Sequence, residues 1–167
     1  MIGAYYEDQL IAFRAMLEPE IDADHLGIDA GIQDSRLEQV IYSEISNVDP
    51  DFRGNGLQSL LGQLLFQEVD ERRFCYICTT VAPFNIASLK DKFALGMEIV
   101  ALKEKYGNLL RYVFIKTISH EAQEKHDVER HYIDMGQTEE QQRYLREGWR
   151  GTGMERRADK WLVCYEK

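Results

Sequence analysis

Cysteine is scarce: Cys75, Cys78 and Cys164 are the only three in 167 residues. A small, odd number excludes a disulfide framework and fits a reducing compartment. Cys75 and Cys78 form a C-x-x-C, yet the surrounding RRFCYICTTV is rich in aromatic and β-branched residues and reads as a strand. Positions i and i+3 of a strand point to opposite faces. The two thiols therefore diverge, which suits neither a disulfide nor a shared metal, and they are read as structural.

Positive charge is also short, with 20 Lys and Arg against 29 Asp and Glu and a formal net charge of −9. Phosphate neutralisation along nucleic acid needs clustered Lys and Arg, so no nucleic-acid partner is expected. Solubility is the simpler meaning of the excess acid. No apolar run is long enough to cross a bilayer, and no membrane partner is expected. The opening MIGAYYEDQL has neither a basic region nor an apolar segment of a secretory signal, so a cytoplasmic location is expected. Repeats and low-complexity runs are lacking too. The length suits one sizeable core.

What is present is a series of short strands with two helical crossovers. Gly3 to Tyr6 and Gln9 to Leu17 read as strands around the polar turn Glu7-Asp8. Residues 18–39 are polar, with Gly27, Gly31 and several Asp. They read as a long loop with a short helix near Ser35 to Gln39. Val40 to Val48 reads as a strand with Tyr42, Glu44, Ser46 and Val48 on one face. Leu57, Leu60, Leu61, Leu64, Leu65 and Val69 then recur at helical spacing. Phe74 to Val81 is a further strand, followed by a helix from Asn85 or Ala87 to Ala94 that Gly96 stops. Glu98 to Lys103 and Leu110 to Ile118 pair around KYGN. The strand–helix–strand unit makes its two strands parallel neighbours. The expected class is mixed α/β (α+β): a central, mostly antiparallel sheet flanked by helices.

The join between the third strand and its helix reads DPDFRGNGLQSLL, from Asp49 to Leu61. A helix N-terminus leaves backbone N–H groups unpaired and carries partial positive charge. Glycines before it let an anion approach, and Arg53 adds a forked cation. The turn is neither a Walker A loop nor a dinucleotide fingerprint, since both spacings are missing. By itself it is either a phosphate site or a tight turn.

Val48-Asp49-Pro50-Asp51-Phe52-Arg53-Gly54-Asn55-Gly56-Leu57 with Leu60-Leu61, then Pro83, Asn85, Ala87-Ser88-Leu89 and Leu95-Gly96-Met97-Glu98, resembles the GNAT acyl-CoA-dependent N-acetyltransferases. The resemblance covers about Gly3 to Ile118. It divides the chain into a GNAT-like acyl-CoA-binding domain, 1–118, and a C-terminal extension, 119–167, packed on the same domain. It implies acetyl-CoA as co-substrate, no metal, and an amine acceptor that attacks the thioester directly. Arg53, Gly54, Asn55, Gly56, Leu57 and Gln58, with Ser59 adjacent, would cradle the pyrophosphate. Ser46, Asn47 and Val48 would pair with the pantetheine arm and polarise the thioester carbonyl. Asn85 would contact the cofactor near the pantetheine.

The chain departs from that pattern at several points. Gln58 stands where the family usually has Gly or Ala. Lys92 occupies the position of the Tyr that often protonates the leaving thiolate. A solvated helix lysine is the expected state of Lys92, with proton donation the alternative; Tyr106, Tyr112 or water are the other candidate proton sources. Glu44 is either the general base, acting through a water, or a partner of an Arg on the sheet. The first strand corresponds to the family's second. Either the loop 18–39 and the C-terminal segment replace the usual front helices, or the chain is shortened. A catalytically silent acyl-CoA-binding module is the second reading.

Beyond Ser119 the resemblance ends. Thr138 reads as the N-cap of a short helix that Gly148 stops, and DKWLVCYEK as a last strand. Tyr132, Tyr144, Trp149 and Trp161 predict a packed tail that covers the sheet, lines the acceptor pocket or forms a homodimer contact. His120, His126 and His131 do not have ligand spacing and read as solvated.

Overall fold

The computed structural model describes residues 1–118 and 128–167. His120 and His126 lie outside the described residues. A nine-stranded sheet runs in the order β1-β2-β3-β4-β6-β5-β8-β9-β7. Its first four strands in the chain are β1 (Ile2–Tyr6), β2 (Gln9–Leu17), β3 (Val40–Val48) and β4 (Tyr76–Val81). Then come β5 (Glu98–Lys105), β6 (Leu109–Thr117), β7 (Arg130–Asp134), β8 (Arg150–Arg157) and β9 (Lys160–Glu166). The helices are α1 (Leu26–Asp29), α2 (Leu57–Gln67), α3 (Ile86–Ala94) and α4 (Thr138–Arg146). All strand pairs are antiparallel except β3 with β4.

Each face of the sheet carries its own core. On one, Ile77, Leu89, Phe114, Tyr112 and Tyr165 pack with α3 and α4. On the other, Leu26 of α1 and Val40, Cys78 and Val113 form a smaller cluster under the loop 18–39. That loop holds α1 and a 3-10 turn at Asp34–Gln39, slightly longer than the single short helix expected. The Leu26 amide anchors it by donating to the Tyr42 hydroxyl at 2.6 Å. Burial raises the Cys78 thiol to about 12, and all three cysteines are free.

The tail holds more strand than its sequence signals. β7 and β8 carry six charged residues among 13, and charge hides alternation. β8 reaches the sheet through one register pair, Ile99 with Gly151. A Cβ on Gly151 would lie 2.8 Å from the Ile99 Cβ, so glycine permits the approach. Gln137 rather than Thr138 is the N-cap of α4, with no side-chain cap bond. Trp149 is buried, whereas Tyr132 is exposed. His131 is not simply solvated: Nδ1 is 3.0 Å from the Tyr144 hydroxyl, and its ring lies edge-on to Trp149.

Candidate active site

The β3–β4 ladder has only three register pairs, Val40–Tyr76, Ile41–Ile77 and Tyr42–Cys78. Both strands continue past it, β3 to Val48 and β4 to Val81. They separate there, bridged by the Thr79 hydroxyl donating to the Ser43 carbonyl at 2.8 Å. The edge of β3 facing the gap therefore presents backbone groups with no strand partner, a surface that an extended ligand can pair with.

A bulge sets what enters the gap. Met16 faces Ser43 and Ala15 faces Ile45, so Glu44 has no partner on β2. This corrects the single face expected for Tyr42, Glu44, Ser46 and Val48. Alternation slips by one residue at the bulge, which places Ser43 and Ser46 on the same side, next to Arg14.

Beside the gap, β3 turns into α2. Gly54 and Gly56 have φ of +81° and +71°. Nothing lies within 4 Å of a Cβ built on either. The glycines are thus required by conformation, and the space in front of them is open. Gly56 is the N-cap of α2 and supplies no side-chain cap, so the helix mouth keeps its N–H groups for a ligand. The turn is held from behind: Arg53 Nε donates to the Val48 carbonyl, and Asn55 Nδ2 donates to the Phe52 carbonyl at 3.0 Å. Across the cleft, Asn85 caps α3 by accepting from the Ser88 amide.

These elements enclose a cavity of about 500 Å³. The residues expected at a cofactor line it, from Ser46, Asn47 and Val48 through the turn to Asn85, with the exception of Asn55. Phe52, Ala87 and Ser88 join them without having been expected. A second cavity, about 300 Å³, shares Ser46, Asn85 and Ser88 with the first and adds Glu44, Lys92 and Arg111. A third, about 210 Å³, shares Glu44 and Thr80 with the second and opens toward Leu26, Tyr42 and Tyr106 on the other sheet face. Each of the three thus borders the next through shared lining residues.

Lys92 is not a solvated helix lysine. Arg14, Asp91 and Lys92 are 0 %, 5 % and 6 % exposed. Arg14 Nη1 lies 3.1 Å and Lys92 Nζ 2.9 Å from the same Asp91 oxygen. Arg14 also donates to the Gln58 carbonyl and the Ser43 hydroxyl, and Ser59 donates to Asp91. Burial, and then the Arg14 charge, hold the Lys92 ammonium below the usual lysine range, against the pull of Asp91. Neither alternative donor is placed as well. The Tyr112 hydroxyl is buried and donates to Gln141, and burial pushes it up. Tyr106 lies on the opposite face against Thr80. Arg14, Asp91 and Arg111 were not singled out in the sequence; the signal of Arg14 is a lone cation inside the apolar strand QLIAFRAML.

Gly62, in the middle of α2, makes room for Arg14. A Cβ there would lie 2.4 Å from Arg14 Nη1 and 2.9 Å from Leu95. Gly62→Ala improves helix propensity by about 1 kcal/mol. Overpacking against a side chain held by several bonds costs about 1–3 kcal/mol. A lower melting temperature is expected; a higher one would show that Arg14 moves aside freely.

Solved structures share this fold. An acetyltransferase of the GNAT family from Streptococcus pneumoniae matches with TM-score 0.56 and 16 % identity, over 70 % of this chain and 65 % of that one. The chain has the GNAT fold. The ribosomal-protein-alanine N-acetyltransferase of Brucella melitensis gives TM-score 0.53 and 18 % identity, over 70 % and 67 %. YncA of Salmonella typhimurium, solved with its cofactor acetyl-CoA, gives 0.55 and 15 %, over 74 % and 66 %. The chain thus spans about two thirds of the length of each of these proteins. No protein-family model and no curated protein matches the sequence. In this chain the helix mouth at Gly56 and the parted strands stand at the cleft.

Proposed function

We propose that this chain is an N-acetyltransferase that moves an acetyl group from acetyl-CoA to an amine. The observation that carries the reading is the continuity of the cleft. One cavity joins an open, glycine-turned helix mouth to the unpaired edge of β3. Acetyl-CoA would supply a thioester whose carbonyl is open to attack by the amine. Arg53 and the amides from Gly54 to Gln58 hold the pyrophosphate, and Ser46 to Val48 hold the pantetheine arm. A backbone N–H of that edge polarises the carbonyl. Glu44, at the bulge between two cavities, takes the acceptor proton through a water. Lys92 gives a proton to the departing thiolate, and Asp91 and Arg14 orient its ammonium.

The buried triad supports the role of Lys92. Charges out of water are expensive even when paired, and this group stands where the cleft meets the gap. The second reading, a binding module without turnover, is favoured by the commitment of Lys92 to Asp91.

Calorimetry with acetyl-CoA followed by thiol release against a panel of amines tests the function. Binding without release would leave the module reading. Lys92→Met is expected to lower kcat by about 10²–10⁴-fold. Lys92 must be protonated to act, so wild-type activity falls as pH rises through its pKa, which lies below the ordinary ~10.4. That alkaline limb should vanish in Lys92→Met. A retained limb would assign it to another group.

A further inference from the structure

The acceptor side of the cleft holds two opposite charges that do not meet. Glu44 and Arg111 line the same cavity of about 300 Å³. Neither forms an ion pair with a described residue, and the guanidinium of Arg111 donates only to the adjacent Leu110 carbonyl. The third charge there, Lys92, is already balanced by Asp91. Most other cations near this face are matched as well: Lys103 and Lys105 both bond Asp29, at 2.6 and 2.8 Å. Arg111 is half-buried, so its unmatched charge costs more than it would at the surface.

From this pairing we infer that the acceptor is a free α-amino acid or a closely similar small zwitterion, held by its carboxylate on Arg111 with its amine toward Glu44. The inference rests on the transferase reading above. A guanidinium fork matches a carboxylate through two parallel N–H···O bonds, which fixes orientation as well as charge. Glu44 draws in the ammonium and takes its proton through water. The freed amine nitrogen forms the C–N bond to the acetyl carbon. The C–S bond breaks with its electron pair on sulfur, sulfur takes a proton from Lys92, and the second proton of the attacking nitrogen leaves to water, which returns one to Lys92. The products are an N-acetyl amino acid and free thiol. Beyond the bulge, the 210 Å³ cavity between Tyr42, Tyr106 and Leu26 receives the side chain. Its walls are aromatic, aliphatic and hydroxyl, and Glu44 is its one ionised group, which favours an uncharged aromatic or aliphatic side chain.

Matched triplets test this: each amino acid, its carboxamide and its decarboxylated amine, such as phenylalanine, phenylalanine amide and phenethylamine. At least one amino acid should be used tenfold or more better, by kcat/KM, than both of its partners. Arg111→Met should bring that ratio close to one, mainly by raising KM for the amino acid. A wild-type preference for amides or amines would overturn the inference and leave the transferase reading standing. So would an unchanged ratio in Arg111→Met with circular dichroism like the wild type. Thiol release with no member of any triplet, in protein that binds acetyl-CoA, would remove the transferase reading and this inference together. If Arg111→Met fails to fold, Arg111→Lys keeps the charge but loses the fork, and a fall in the same ratio is expected.

Discussion

Asp91→Ala is expected to lower the unfolding free energy by about 3–5 kcal/mol, the largest stability effect of any single change near the cleft. Asp91 is the only carboxylate bonded to either Arg14 or Lys92 among the described residues. Its removal leaves two cations facing each other out of water. Lys92 can relieve part of this by releasing its proton, because burial and Arg14 already depress its pKa. Arg14 has no such escape, since a guanidinium stays charged. For a chain of this size the loss corresponds to a drop in melting temperature on the order of 10 °C. Asp91→Asn keeps a hydrogen-bond acceptor and should cost less than Asp91→Ala. Lys92→Met in the Asp91→Ala background should recover part of the loss, because one of the repelling charges is gone. Denaturant unfolding of the four proteins measures all of this. A cost within 1 kcal/mol for Asp91→Ala would mean that water reaches the triad, and that Lys92 is not held in a low-dielectric setting.

Gly56→Glu should weaken acetyl-CoA binding at least about a hundredfold, or some 2.7 kcal/mol. Two effects combine. Gly56 has φ of +71°, where a side chain carries a penalty of roughly 1–2 kcal/mol. The new carboxylate would also stand at the helix mouth, where a second negative charge about 4 Å away costs up to ~4 kcal/mol at a surface-like dielectric. Gly56→Ala separates these terms, since it carries the strain without the charge, and its loss should be much smaller. Because the space in front of Gly56 is open, neither variant clashes with the protein itself. Calorimetry on folded variants decides the matter: an affinity within threefold of wild type in Gly56→Glu would place the pyrophosphate elsewhere.

Much of the fold was legible because its signals are local. The turn at Glu7-Asp8, the strand from Val40 to Val48, the glycine turn before α2 and the stop at Gly96 each follow from residue types within a few positions. The face occupied by Glu44 was not legible. A bulge depends on how two strands register, and nothing in VIYSEISNV marks the slipped residue. β7 and β8 were hidden for a related reason: RHYID and RGTGMERR gain strand character through their ladders with β9, to which β8 adds one pair with β5. The state of Lys92 was misread because burial of a lysine is decided by what packs beside it. The partners, Arg14 and Asp91, stand 77 residues apart in the chain.

By itself, then, the sequence determined the order of strands β1 to β6 with their two crossover helices, the helix mouth at Gly56 and the resemblance that points to a CoA cleft, since these rest on backbone preference and short-range spacing. Only the tertiary structure decided where charge is buried and where it is left free. Pairing energies depend on distance and on exclusion of water, and both are set when β2, β3, α3 and β6 come together around one cavity. That assembly turned Lys92 from a surface residue into a held ammonium, and left Glu44 and Arg111 unmatched on the acceptor side.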